Sequence, residues 1–389
     1  MTLPLDFDGI RIETLREAGA LKWSLYPDKI GAFIAEMDFG TAPPITRALH
    51  AAVDAGGFGY LPSALCQRMG EACAEWSRTR YGWGIPAANV RPLADVLAGL
   101  TATIEHFSAP GSAVIVPTPA YMPFLTVPRM LGRKIIQVPM TPVEGRLGYD
   151  LDALDAAFRD GGNLLLLCNP HNPIGRVLER AEMAAIAEVV RRHGGRVFAD
   201  EIHAPLVFPG HRHIPYASIS PVTAGHTVTA VSASKAWNLP GLKCAQLILS
   251  NEADLEKWST VSMLAEHGAA NLGVVANIAA YTEGEPWLAE MLAYLDGSRA
   301  LLAELLAEHL PQVRYTPPEG TYLAWLDCRE LGLGDHPGRF FLEHAGVAVT
   351  DGVDCGEVGK GFVRYNFATP RPIMEQTIRQ MAQALAARS

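Results

Sequence analysis

Ser232-Ala-Ser-Lys-Ala-Trp-Asn-Leu-Pro-Gly-Leu-Lys243 follows directly on Thr227-Val-Thr-Ala-Val231, an apolar, β-branched run that reads as a buried strand. Lys235 therefore stands just past a strand end. An unpaired ammonium is costly to bury, so packing alone does not explain it. A partly desolvated amine gives up its proton and becomes a nucleophile able to form a Schiff base. Ser232 and Ser234 offer hydroxyls to an anion, Gly241 lets the backbone turn closely, and Lys243 adds a second cation. Taken alone, the stretch fits a polar surface turn equally well, because most lysines are exposed.

The surroundings favour the first reading. From about residue 62, helical stretches (64–80, 95–107, 121–131, 151–160, 180–194) alternate with short apolar runs. The runs are Ala113-Val-Ile-Val116, Ile135-Ile-Gln-Val138, Leu164-Leu-Leu-Leu-Cys168, Arg196-Val-Phe-Ala199, Val228–Val231 and Ala245-Gln-Leu-Ile-Leu249. Continuous apolar strands between helices predict an α/β domain with a mainly parallel sheet covered on both faces. Ligands of such sheets bind beyond the strand carboxyl ends. The unusual residues lie there: Asn169–Gly175, Asp200–His203 and Ser232–Lys243 each come directly after a run. A long helix from about 283 to 310, strand-like 321–326 and 361–367, a helix at 337–345 and a last helix from 372 predict a smaller α+β domain. The expected division is 1–45 (packing with the small domain), 46–285 and 286–389. Within the first of these, a short helix is expected at about 11–20. Thr41 reads as the cap of a helix whose first turn holds two prolines.

With 389 residues, 49% hydrophobic and 19% charged, the chain is globular. A net charge of −9 argues against wholesale nucleic-acid binding. The six cysteines form no CxxC pair, which fits reduced thiols in a cytoplasmic protein better than disulfides or zinc. The amino terminus lacks a leader pattern, and no apolar stretch is long enough to span a membrane.

Four features converge on one chemistry. Lys235 is the candidate Schiff-base lysine. Ala199-Asp-Glu-Ile-His203 places a carboxylate where a pyridinium nitrogen needs one. Asn169-Pro-His-Asn-Pro-Ile-Gly175 presents an amide to a phenolic oxygen, and Arg364 in Gly361-Phe-Val-Arg-Tyr-Asn366 suits bidentate carboxylate binding. Each has a plainer reading: a turn, a solvated cap, an internal salt bridge. In this order they resemble the fold-type-I pyridoxal-phosphate enzymes of the aminotransferase class I/II superfamily. The resemblance is closest to the MalY/PatB cystathionine β-lyase-like branch, through Ala35-Glu-Met-Asp-Phe39, Phe58-Gly-Tyr60, Pro119-Ala-Tyr-Met-Pro-Phe124, Cys168-Asn-Pro-His-Asn-Pro173, Asp200-Glu-Ile-His-Ala204, Ser234–Cys244 and Tyr322-Leu-Ala-Trp-Leu-Asp327.

The resemblance implies a seven-stranded sheet and pyridoxal 5'-phosphate. It implies that Lys235 bonds the cofactor, Asp200 pairs with the pyridine nitrogen, and Asn172 binds the ring hydroxyl with His203 nearby. Tyr121 would stack on one ring face and Ile202 on the other. The amides of Val96 and Leu97, with Ser232, Ser234 and Lys243, would hold the phosphate at a helix N-terminus. Arg364 would take the substrate carboxylate, and Tyr60 would reach the neighbouring site of a homodimer. Lys243 and Glu36 depart from the common pattern, where arginine and aspartate are usual, and Thr350-Asp-Gly-Val-Asp354 looks individual. The implied activity is β-elimination of a cysteine S-conjugate to thiol, pyruvate and ammonia, with Lys235 as base and Tyr121 assisting. A transaminase or decarboxylating enzyme uses the same lysine, aspartate and arginine, and a non-catalytic regulator on this fold is the remaining alternative. Of the peripheral residues, His171, His211 and His213 read as loop residues, and Trp237 as core or site wall.

Overall fold

The computed structural model describes residues 6–143 and 146–388. Residues 1–5, which belong to the stretch read for a leader pattern, lie outside the described residues.

Seven strands form the central sheet: β1 (Val90–Leu93), β2 (Ala113–Thr118), β3 (Ile135–Pro139), β4 (Gly162–Cys168), β5 (Arg196–Asp200), β6 (Thr227–Val231) and β7 (Ala245–Leu249). Their order is β1-β7-β6-β5-β4-β2-β3. Neighbours run parallel except around β7, which is antiparallel to both β1 and β6. The six apolar runs are six of these strands. β1 has no comparable signal because Val90-Arg-Pro-Leu93 is short and carries a proline, which an edge strand tolerates.

Helices α1 (Pro43–Asp54), α2 (Ser63–Tyr81), α3 (Val96–His106), α4 (Leu151–Arg159) and α5 (Arg180–Arg192) precede or separate the strands. The two-residue period of β4 explains its unbroken leucines. Leu164 and Leu166 pack on the face that holds Leu100 and Ile104 of α3. Leu165 and Leu167 pack on the other, against Leu154 of α4 and Ile186 of α5. Each such leucine contributes about 1.5–3 kcal/mol by leaving water. Gly99 lets α3 lie close to the sheet, since a Cβ there would press on Leu93 and Leu247.

Strand register gathers the site. Cys168 lies opposite Asp200, and Asp200 opposite Ala230, so the segments that leave β4, β5 and β6 emerge at one edge. The chain continues through α6 (Asn271–Glu283) and α7 (Glu285–His309) into a four-stranded antiparallel sheet. Its central strands are β8 (Leu323–Asp327) and β9 (Phe362–Asn366), flanked by Arg314–Tyr315 and Thr350–Asp351, and α8 (Arg371–Ala386) ends the fold. The amino-terminal segment is stitched to this part: Ile30–Gly31 pairs in parallel with Val347–Ala348. The buried Lys22 ammonium pairs with Asp38 at 2.8 Å, and Trp23 Nε1 donates to the same carboxylate at 2.7 Å. One apolar core joins Phe7 and Phe39 to Trp237, Tyr281, Tyr322 and Met381.

Some local expectations fail for identifiable reasons. Thr41 caps nothing; its hydroxyl donates to the Trp237 carbonyl at 2.6 Å, and Ala42 occupies the N-cap. The expected helix at 121–131 breaks into a 3-10 turn, Met122–Leu125, and a single α-turn, Val127–Met130. Pro128 lacks the N–H that would bond back to Phe124 across the junction, while Pro123 sits in the first turn, where proline is tolerated. The helix at 337–345 opens after Phe340 into a wider π-type turn.

Candidate active site

Beyond the carboxyl ends of β4, β5 and β6 lies a cavity of about 190 Å³. Its walls include Val96, Leu97, Tyr121, Asn172, Asp200, Ile202, His203, Ser234, Lys235 and Lys243. Ten of the thirteen residues expected at the site thus meet in one place. Cys168 and the Ala35 main chain line it too; both stand in the family-like words of the sequence, where neither suggests a role of its own.

Electrostatics follow from burial. The Lys235 side chain is half-buried, and desolvation, helped by Arg364, pulls its pKa down to about 8. Its Nζ donates to the Ala35 carbonyl at 2.9 Å. Desolvation lifts the Asp200 carboxyl to about 7, although the Ile202 amide donates to its Oδ1 at 3.1 Å. A cation against Asp200 would restore its charge, which is what a protonated ring nitrogen offers. His203 is pushed down to about 3 by burial, so its imidazole is neutral, and its buried Nδ1 has no partner among the described residues. Burial and Asp200 raise Tyr121, which keeps the phenol protonated. Glu201 is not a solvated cap: it is buried, accepting from Tyr216 N at 2.7 Å and lying 3.1 Å from His213 Nε2. His213 is therefore a buried partner of Glu201 rather than a solvated loop residue, while His211 is exposed. His171 is also buried and neutral.

Arg364 lies behind Asn172 rather than on the cavity wall. Its Nη1 donates to Asn172 Oδ1 at 3.1 Å, and its Nη2 donates to the Phe33 carbonyl at 2.7 Å. Asn172 Nδ2 is left uncommitted among the described residues. Among the described residues no carboxylate pairs with Arg364, and its buried Nε is unpartnered. A buried guanidinium held only by neutral acceptors is a strong attractor for an incoming carboxylate.

The phosphate end is less closed. Asp95 caps α3, with Oδ1 accepting from Ala98 N at 2.9 Å, while the amides of Val96 and Leu97 have no partner among the described residues. Two free amides at a helix N-terminus suit a phosphate. Lys243 does not point freely toward them: its Nζ is 3.0 Å from Asp95 Oδ2. Ser232 corrects an expectation. Its hydroxyl donates to the Cys244 carbonyl at 2.7 Å and accepts from Ser234 N at 3.0 Å, so it shapes the turn from beneath. Trp237 is core, set between Trp76 and Tyr281. Tyr60 is 86% exposed and outside the cavity. It borders a separate, open concavity of about 840 Å³ that shares Lys243 with the site.

The donors match pyridoxal phosphate: free helix amides for a phosphate, a buried carboxyl for a pyridine nitrogen, an uncommitted amide for a ring oxygen and a desolvated lysine. Among the described residues no cluster of metal-ligating side chains occurs, and no helix is long and apolar enough to cross a membrane.

The chain is 38% identical to a cystathionine β-lyase of Corynebacterium glutamicum, over 96% of this chain and 99% of that one. It is 32% identical to the cystathionine β-lyase PatB of Bacillus subtilis, over 92% and 93%. The structure of the PLP-bound C–S lyase from Staphylococcus hominis superposes with a TM-score of 0.90 at 29% identity, covering 98% and 99%. The sequence pattern of aminotransferase class I and II matches residues 28–385, so the chain belongs to the aminotransferase class I and II family, with the fold-type-I architecture of those enzymes.

Proposed function

We propose that the chain is a pyridoxal-phosphate-dependent C–S β-lyase, cleaving cysteine S-conjugates of the cystathionine type to a thiol, pyruvate and ammonia. The observation that carries this is the meeting of the desolvated Lys235 amine with Asp200 and Asn172 in one buried cavity. Relatives named cystathionine β-lyase over nearly the whole chain support it.

When bound, pyridoxal phosphate supplies an electron sink for negative charge at the substrate Cα. Lys235, Asp200, Asn172 and His203 would hold its ring end, with Tyr121 and Ile202 on either side. Val96, Leu97, Ser234 and Lys243 would hold its phosphate. Arg364 binds the substrate carboxylate and fixes which Cα bond is broken. The Lys235 amine, half neutral near pH 8, takes the Cα proton; a base titrating near working pH is the efficient choice. The Cβ–S bond breaks with its electron pair on sulfur. The half-buried Tyr121 phenol donates a proton to that thiolate and is reprotonated from the Lys235 ammonium, which returns both groups to their starting states. Asp200 keeps a proton on the pyridine nitrogen throughout.

A second copy of the chain completes the phosphate end in this reading. Phe58, Tyr60 and Met263 are exposed around the open concavity beside Lys243. Their burial in a homodimer would bring the partner's Tyr60 to the phosphate.

The test adds L-cystathionine to the purified protein without any 2-oxo acid, following the visible absorption band and pyruvate. Sustained pyruvate release is expected. A band that converts once and stops assigns transamination instead. No band after added pyridoxal phosphate overturns the cofactor reading.

A further inference from the structure

Residues Phe33–Met37 cross the site as a strap whose main-chain carbonyls alternate in direction. Two face the site. Phe33 O accepts from Arg364 Nη2 at 2.7 Å and Thr350 Oγ1 at 2.8 Å. Ala35 O accepts from Lys235 Nζ at 2.9 Å and the Tyr322 hydroxyl at 3.0 Å. The intervening carbonyls, Ile34 O and Glu36 O, both accept from Asn366 Nδ2 at 2.7 Å. Asn366 is fully buried, two residues beyond Arg364 on β9, and its Oδ1 accepts from Ala368 N at 2.8 Å. On the other side Asn238 grips Met37 with both ends of its amide. Its Oδ1 accepts from Met37 N at 3.0 Å, and its Nδ2 donates to Met37 O at 2.9 Å. Asn238 lies three residues after Lys235 with φ at 58°, a region asparagine tolerates better than most residues. The segments that carry the amine and the guanidinium thus each carry an amide that fixes the strap between them.

We propose that Asn366 and Asn238 are positioning residues that hold the Ala35 carbonyl as the dock of the Lys235 amine during proton transfer. This rests on the reading of Lys235 as the base. A neutral amine has two N–H bonds and one lone pair. One N–H given to Ala35 O fixes rotation about the Cε–Nζ bond and leaves the lone pair for the substrate. The Cα–H bond breaks, an N–H bond forms, and the electron pair stays on Cα. The ammonium that results keeps its hydrogen bond to the same carbonyl, which favours the charged form. Tyr322 occupies the carbonyl's second lone pair. The titratable and charged groups facing the amine are Asp200 from β5, Arg364 from β9, Glu36 from the strap, Tyr121 and His203 from the cavity wall, and Tyr322. Among the described residues, only Ala35 O lies within hydrogen-bond distance of Nζ.

The test uses the holoenzyme and two readouts: exchange of the Cα hydrogen of L-alanine into D2O, followed by proton NMR, and pyruvate from a thioether. Alanine carries no leaving group, so exchange reports proton transfer alone. Asn366→Ala and Asn238→Gly are expected to lower exchange by about 10- to 100-fold, the cost of an ångström-scale misplacement. Exchange should rise with pH along a limb displaced to lower pH, because the ammonium has lost its acceptor. The bound-cofactor absorption should be unchanged. Asn238→Gly tolerates the positive φ and reports even if Asn366→Ala fails to fold. Rates within twofold of wild type with an unmoved limb overturn the proposal. So does a slowed rate with an unmoved limb and a lowered melting temperature, which marks a structural role only. Wild-type exchange without pyruvate from any thioether counts against the lyase reading while the dock stands.

Discussion

At the Asp200 end of the cavity the side chains are buried; Asp200, Asn172 and His203 are each no more than 5% exposed. At the Val96 end, Asp95 and Lys243 keep 41% and 57% of their side chains in solvent, and Tyr60 is exposed, with the His267 ring beside it at 5.6 Å between centroids. In the proposed reading one chain therefore supplies the ring end, from segments that follow strand ends whose register is fixed by a packed sheet. The phosphate end rests on loop residues and a helix terminus, and its last donor would come from outside. Substitutions should accordingly cost most at the first end and least at the second.

Lys235→Ala tests the ring end most severely. If Lys235 bonds the cofactor and acts as the base, as proposed, loss of the amine removes both, and pyruvate release should fall by at least about 10³-fold. The absorption band of the lysine-bound cofactor should vanish as well. Full turnover by this variant would break the comparison outright and revive a regulatory role.

Asp200→Asn comes next, with kcat reduced about 10²-fold as a preorganised charge is lost. It carries a second signature in the cofactor-free protein. The native carboxyl titrates at about 7 against an ordinary 3.8. The native state then holds a proton that the unfolded chain releases between those values, so this group makes stability fall as pH rises through that window. Asparagine removes the penalty. The variant should melt above wild type at pH 8 and level with it at pH 4, by scanning calorimetry. Equal differences at both pH values would mean that Asp200 is not held protonated by burial.

The same contrast explains what was legible in the sequence. Strand-end words such as Asp200-Glu-Ile-His203 are readable because apolar runs announce the sheet, and the sheet fixes where the next few residues emerge. Ser232 misleads because a hydroxyl in an anion-like motif has two uses, and here Cys244 O takes it. The ion pair of Lys243 is not legible because its partner Asp95 lies 148 residues away, beyond any local pattern. Asn238 and Asn366 sit inside recognisable motifs, yet their sequence context gives them no role. Their partners are main-chain atoms of Phe33–Met37, and a main-chain acceptor leaves no mark on side-chain identity. Helix α6 escapes a periodicity reading because it is apolar on nearly every face and lacks the amphipathic pattern.

Tyr60→Phe sharpens the other half of the comparison. If a second chain supplies this hydroxyl, the variant should bind pyridoxal phosphate about 2- to 10-fold more weakly, the worth of one hydrogen bond, with kcat barely changed. Mixing it with Lys235→Ala and allowing subunits to exchange should create one site with both substitutions and one with neither. At limiting pyridoxal phosphate, the one active site of the mixed dimer is expected to bind the cofactor with wild-type rather than weakened affinity. A monomer in sedimentation at working concentration would remove the second chain from the account.

Asp95→Asn is expected to have the smallest effect, and its sign is the informative part. Asparagine caps a helix as well as aspartate does, so the bond to Ala98 N and the start of α3 survive. What disappears is a negative charge beside the two free amides, together with the ion pair that occupies Lys243. Both changes favour an arriving phosphate dianion. The pair is largely exposed, so the gain is limited to about 0.2–1 kcal/mol, or at most about fivefold tighter cofactor binding. Salt should erase most of it, since exposed charges are screened within about 10 Å at 0.1 M. Fluorescence titration of cofactor-free protein at low and high salt checks both points. Tighter binding at low salt alone means that Asp95 competes with the cofactor for Lys243, so the open end is held partly shut until phosphate arrives. Weaker binding would instead mean that Asp95 aims Lys243 at the phosphate, making this end as preorganised as the buried one.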